Sequence, residues 1–247
     1  MYPTVTEVVQ QAKNLGYGYD SASNFRPFTN PEFFEISARL GWNQDNPEYC
    51  RLFNNLADWI KGKLNPRTAF EIGSGPGYLL NCLNEVGIET HGIDGNPYSR
   101  DYFANKHRQH VDKYIIDPVF SNNYKEVDLL VSIEVFEHIE DPGIESIFKK
   151  IREQLKPKSI VFSSTPFADP NPGWDLQWGH INLKSTAIWD DLFRQNGYLP
   201  ALLIPPVTEW ARLYVRSDCV EDKQFKTLFT AKRRWRDLIN DRLFKRK

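Results

Sequence analysis

A chain of 247 residues with formal net charge −1 and 40% hydrophobic residues fits one α/β domain with additions, or at most two small domains. The near-neutral balance argues against a global electrostatic pull toward nucleic acid or membrane. The three cysteines, Cys50, Cys82 and Cys219, form no C-x-x-C pair, which speaks against a disulfide framework and a thiolate metal site and for a reducing cytoplasm. The first residues include Glu7 and no long apolar core, so no signal peptide is expected. No run reaches the ~20 apolar residues that span a bilayer.

In chain order, residues 1–65 read as a helical cap ahead of a sheet. A short helix is predicted over Thr4 to Leu15, then loop to Pro31. Helices follow over Pro31 to Leu40 and Pro47 to Leu64, each with proline near its first turn. Leu52, Phe53, Leu56, Trp59 and Ile60 form one apolar stripe on the second. Ala69 to Ile72 is a buried strand that runs into Gly73-Ser74-Gly75-Pro76-Gly77. Tyr78, Leu79, Cys82 and Leu83 then recur at helical spacing, and a second strand over Glu89 to Ile93 ends on Asp94. A polar helix is expected to about His110, then a strand over Val111 to Ile116 that stops at Asp117-Pro118. Val127 to Ile133 is a strand ending on Glu134. Gly143 to Leu155 is an amphipathic helix, Ser159 to Thr165 a fifth strand, and Lys184 to Asn196 a helix ended by Gly197. Tyr198 to Ile204 and Glu209 to Arg216 are the last strands. Strands alternating with helices over residues 66–216 predict βαβ units and a mostly parallel sheet. In residues 217–247, Phe225, Leu228, Phe229, Trp235, Leu238, Ile239 and Leu243 recur at helical spacing between Lys232, Arg233, Arg234 and Arg236. That is either a helix packed on the domain with a solvated basic face, or an amphipathic helix that touches a membrane surface or nucleic acid.

Strand, glycine turn, helix, strand, acid is one half of a nucleotide-binding α/β sheet. Asp94 stands where a carboxylate accepts both hydroxyls of a ribose. A nicotinamide fingerprint would place its third glycine at position 78, which is Tyr78. The pattern is instead acid-x-G-x-G-x-G on Glu71, Gly73, Gly75 and Gly77. It resembles motif I of the class I S-adenosylmethionine-dependent methyltransferases. The resemblance, which covers about residues 66–204, implies a Rossmann-like sheet of seven strands with the last antiparallel. It implies that the glycine loop holds the methionine end of S-adenosylmethionine and that Asp117 lies at the adenine. It also implies that the leading helices cover the cofactor and admit substrate.

A second stretch, Glu134-Val135-Phe136-Glu137-His138, begins at a strand's carboxyl end, where ligands bind in open α/β sheets. A helical turn there would let Glu134, Glu137 and His138 converge, with His180 as a fourth group from the next strand's outlet. Two carboxylates and two imidazoles suit a divalent cation such as Mg, Mn, Fe or Zn. Alternatively, Glu134 shapes the cofactor pocket, and Glu137 and His138 are a metal-free acid/base pair with His138 as base. The E-V-x-E-H pattern is similar to the small-RNA 3′-terminal 2′-O-methyltransferases, in which two Glu and two His bind a divalent ion. It is also similar to the ubiquinone-biosynthesis O-methyltransferases. The expected activity is O-methylation, most simply of one of two adjacent hydroxyls on a glycan end or catechol-like small molecule. A nucleic-acid substrate would call for a stronger basic footprint. The loop over Pro166 to Gly179 is long and carries Trp174 and Trp178, which either stack on a substrate ring or pin the loop.

Overall fold

The computed structural model describes residues 28–43, 45–96, 99, 114–116, 124–169, 175 and 177–230. Asp117, Trp174, the helix expected up to His110 and the basic tail beyond residue 230 lie outside the described residues.

Two helices lead in. In α1 (Asn30–Arg39) the N–H of Thr29 donates to Glu32 Oε2 at 2.8 Å, satisfying a donor at the start of the helix. α2 (Pro47–Lys63) is capped by Asn46, whose side chain accepts from the Glu48 N–H. The core then runs β1 (Thr68–Ile72), α3 (Tyr78–Glu85), β2 (Glu89–Asp94), β3 (Tyr114–Ile116), β4 (Leu129–Ile133), α4 (Asp141–Lys150), β5 (Ser159–Ser163), α5 (Thr186–Gln195), β6 (Tyr198–Pro200), β7 (Arg212–Arg216) and α6 (Lys223–Thr230). α4 continues into a wider turn over Ile151–Leu155, which ends on Lys156 in the left-handed region.

The seven strands lie in the order β3-β2-β1-β4-β5-β7-β6. The first five are parallel, and β7 inserts antiparallel between β5 and β6. This is the expected class I methyltransferase sheet. The strand order reverses between β1 and β4, so a crevice opens at their carboxyl ends.

Burial on both faces explains the nearly continuous apolar strands. Phe70, Leu130, Ile160, Phe162 and Tyr214 point to one face, against Ile147 and Phe148 of α4 and Trp189 and Phe193 of α5. Their neighbours Ala69, Leu129, Val131, Val161, Leu213 and Val215 point to the other, against Leu56 and Ile60 of α2, Leu83 of α3 and Phe225 of α6. The alternation is the strand period of two. Among the described residues, no helix is long and apolar enough to cross a membrane.

Candidate active site

Two groups of side chains meet at the carboxyl ends of β1, β2, β4 and β5. The first is built on the glycine turn. Gly73, Gly75 and Gly77 all have positive φ, and Gly77 starts α3. Asp94, at the end of β2, accepts the Gly75 N–H on Oδ2 and the Asn96 N–H on Oδ1, each at 2.7 Å. Each carboxylate oxygen has a second acceptor position. Glu71 is buried at the end of β1, and burial followed by the charge of Asp94 pushes its carboxyl well above the ordinary range. Burial also raises Asp94. Glu71 Oε2 and Ser74 Oγ are buried without a hydrogen-bond partner among the described residues. Unmet buried polar atoms are costly, and here they sit beside a pair of carboxyls. A ligand with hydroxyls and a cationic amine fits that chemistry.

α1 lies over this turn. A side-chain carbon added at Gly75 would stand 3.8 Å from Phe34, and the Asn30 carbonyl accepts from Asn96 Nδ2 at 3.0 Å. Phe33 meets the His138 ring edge-on at 6.0 Å between centroids.

The second group follows β4. Glu134 is a non-glycine residue with φ +52°. Such strain persists where surrounding structure over-determines it. Its N–H donates to the Ser163 carbonyl at 2.8 Å. Its Oε1 accepts from Ser163 Oγ and, at 2.9 Å, from Trp210 Nε1. A short 3₁₀ turn over Phe136–His138 comes next.

Glu137 is 1% exposed, and its Oε2 accepts from Ser164 Oγ at 2.9 Å. Burial, then the nearby Glu134 carboxylate, push its pKa up to about 8. The Glu137 carbonyl accepts the N–H groups of Ile181 and Asn182 at 2.8 and 3.0 Å, which brings His180 alongside. The His138 and His180 rings lie 5.0 Å apart. Ligand atoms of Glu137, His138 and His180 all fall within 4.8 Å of one another.

The tautomers follow from the partners. His138 Nδ1 is 3.3 Å from the Gly179 carbonyl and His180 Nδ1 is 2.9 Å from Asp175 Oδ1. A carbonyl and a carboxylate only accept, so both rings carry hydrogen on Nδ1, which leaves Nε2 as the ring atom for a ligand bond. Burial, then His180, hold the His138 pKa down to about 4.

The structure therefore gathers three of the four predicted ligands, and Glu134 is not in that group. One of its oxygens is engaged by Ser163 and Trp210, and its charge acts on Glu137 through space. Ser163, Asp175 and Trp210 were not singled out from sequence. Asp175 stands five residues before His180, and a carboxylate near a ligand histidine is a signal that could have been sought. Of the two loop tryptophans, Trp178 is 5% exposed and packs against Phe28, Phe33 and Trp42, so it pins the loop.

A family model described as a methyltransferase domain matches residues 42–201. No curated protein sequence matches the chain. Among solved structures, mitomycin 7-O-methyltransferase MmcR aligns with TM-score 0.54 and 17% identity over 75% of this chain and 57% of its own. The S-adenosylmethionine-dependent methyltransferase SibL, in its apo form, aligns with TM-score 0.56 and 11% identity over 85% of this chain and 69% of its own. Human N-acetylserotonin methyltransferase in complex with SAM aligns with TM-score 0.52 and 14% identity over 85% of this chain and 64% of its own. The chain thus spans under two thirds of two of these three proteins. At such identities the likeness establishes the shared fold.

Proposed function

The chain belongs to the methyltransferase-domain family, and we propose that it is an S-adenosylmethionine-dependent O-methyltransferase that acts on one hydroxyl of a vicinal pair with help from a divalent cation. The observation that carries this reading is the convergence of Glu137, His138 and His180 next to the strand ends that bear Asp94 and the glycine turn.

Glu71, Gly75 and Asp94 are assigned to the cofactor, which supplies an electrophilic methyl group. The two carboxylate oxygens of Asp94, already oriented by the Gly75 and Asn96 N–H groups, are set to accept from ribose hydroxyls. Phe34 closes over the turn from α1 and excludes water from that end.

The carboxylate of Glu137 and the Nε2 atoms of His138 and His180 are the groups that would hold the cation. A divalent ion supplies Lewis acidity that makes a hydroxyl more acidic near neutral pH. The fit is chemical: two imidazoles that donate from Nδ1 stand beside a buried carboxyl with no cationic partner among the described residues. Glu134 adds negative charge at the edge of this group and is the candidate fourth ligand.

In the metal-free alternative His138 takes the hydroxyl's proton. A histidine held near 4 is a weak base, which favours the ligand role over that one. The acceptor class is proposed to be a small molecule or glycan end.

The test is methyl transfer from labelled cofactor to a panel of catechols, glycans and short RNAs, with and without chelator. Expected is transfer to a diol, none or far less to its mono-deoxy analogue, and loss on chelation. Full activity in chelator returns the mechanism to His138 as base. Equal rates on diol and deoxy substrate remove the vicinal-pair requirement. Asp94→Ala should abolish binding of S-adenosylhomocysteine in calorimetry, and wild-type affinity in that variant would refute the cofactor assignment.

A further inference from the structure

Asp175 makes three hydrogen bonds at the outlet of β5. Its Oδ1 accepts from His180 Nδ1 at 2.9 Å, its Oδ2 accepts from the Asp169 N–H at 2.7 Å, and its carbonyl accepts from the His180 N–H at 2.8 Å. The carboxylate is 15% exposed and the His180 side chain 14%, so water competes little for these bonds. One carboxylate therefore spans the segment that leaves β5, at Asp169, and the histidine that closes it.

The same geometry decides what His180 can do. A histidine on a flexible loop presents either nitrogen. With Nδ1–H donated to a carboxylate, Nε2 alone is left as a ligand atom, and the carboxylate raises its basicity. His138 reaches the same tautomer through the carbonyl of Gly179, the residue next to His180. Both rings are thus set by one short stretch, Asp175 to His180, whose far side is anchored on the Glu137 carbonyl by Ile181 and Asn182.

We propose that Asp175 is a positioning residue that fixes His180 for a divalent cation and couples its bond to the Asp169 N–H to the binding of that cation. The proposal rests on the cation reading of Glu137, His138 and His180. The coupling runs both ways, since a cation that favours the held loop is itself favoured by it.

The test is calorimetric titration of the full chain with Mn²⁺ alone, in wild type, Asp175→Ala and Asp175→Asn. S-adenosylhomocysteine affinity in each variant reports an intact fold. Losing an orienting carboxylate lowers metal affinity by roughly 10–100-fold. That loss is expected in D175A and also in D175N, whose single amide oxygen cannot accept from both His180 Nδ1–H and the Asp169 N–H. D175N keeps the side chain's size, so it decides the matter even where D175A folds poorly. D175A or D175N binding Mn²⁺ as tightly as wild type overturns the positioning role. Amide exchange gives the second half. Mn²⁺ should slow exchange of the Asp169 N–H in wild type, and an unchanged rate overturns the coupling. Wild type that binds no Mn²⁺ in calorimetry overturns the cation reading itself, a result distinct from either.

Discussion

At the scale of single residues, the glycines of the turn do different work. A side-chain carbon at Gly73 would lie 2.2 Å from Val135 Cγ2, whereas the nearest atom to one at Gly75 is 3.8 Å away. Gly73 is thus where the glycine turn presses on the turn that carries Glu134 and Glu137. Both positions have positive φ, which costs a non-glycine residue about 1–2 kcal/mol. Gly73→Ala adds an overpacking cost of about 1–3 kcal/mol, so it should lower the melting temperature more than Gly75→Ala. Gly75→Ala should keep most of the stability and weaken S-adenosylhomocysteine binding. Melting curves and calorimetry on both variants check this, and equal melting temperatures would count against the steric account. The acid-x-G-x-G-x-G spacing was legible in the sequence because it is local. The division of labour between Gly73 and Gly75 was not, because Val135 reaches the turn only through the β1–β4 pairing. Trp210 was missed for a similar reason. Trp210 meets Glu134 across 76 positions in the chain, and no periodic pattern announces such a bond.

At the scale of elements, α1 is the piece that joins the two halves of the site. Phe34 lies over Gly75 and Phe33 beside His138, and the Asn30 carbonyl holds Asn96. The sequence showed a helix here, and the resemblance implied a cover. Which face met the site was settled by packing against Trp178, a contact between distant segments. The strands were legible for a physical reason, since a sheet buried on both faces must be apolar throughout. Their lengths were less so. The last strand begins at Arg212 and β6 ends at Pro200, because the stretch between them turns back to place Thr208 on Ser163 and Trp210 on Glu134. Phe34 is 6% exposed, so Phe34→Ala should cost about 3–5 kcal/mol. At roughly 2–4 °C per kcal/mol for a chain of this size, the melting temperature should fall by about 6–20 °C. Because the lost ring also covers the cofactor turn, S-adenosylhomocysteine affinity should fall with it. Phe53→Ala, on the sheet-facing side of α2, is the control that should lower stability and spare affinity. A cofactor affinity untouched by Phe34→Ala would remove α1 from the cofactor site.

At the scale of the whole molecule, the buried site groups make stability depend on pH, and the signs separate them. Glu137 rises from 4.5 to about 8 on folding. Between those values the folded chain binds more protons than the unfolded one, so the contribution of Glu137 is full below 4.5 and is lost as pH rises to 8. His138 falls from 6.5 to about 4, so its contribution is full above 6.5 and is lost as pH falls to 4. Between 4.5 and 6.5 the two slopes oppose each other. From 6.5 to 8 only Glu137 of this pair still titrates differently in the two states; the raised carboxyls of Glu71 and Asp94 also lose stability as pH rises through their folded values. A single such proton gives at most about 1.4 kcal/mol per pH unit, so roughly 2 kcal/mol should disappear between pH 6.5 and 8. Denaturant titrations in chelator should show that loss. Glu137→Gln, which keeps the shape and cannot ionise, should flatten most of it. A cation on Glu137 takes the place of the carboxyl's proton, so Mn²⁺ should flatten the slope in the wild type and release a proton near pH 7. A stability that stays level from 6.5 to 8 in chelator would mean that Glu137 is ionised at neutral pH without help. The burial that the fold imposes on that carboxyl would then be met by some group other than a proton or a cation. If the slope survives in Glu137→Gln, it does not come from Glu137, and the pH response belongs to other groups of the molecule.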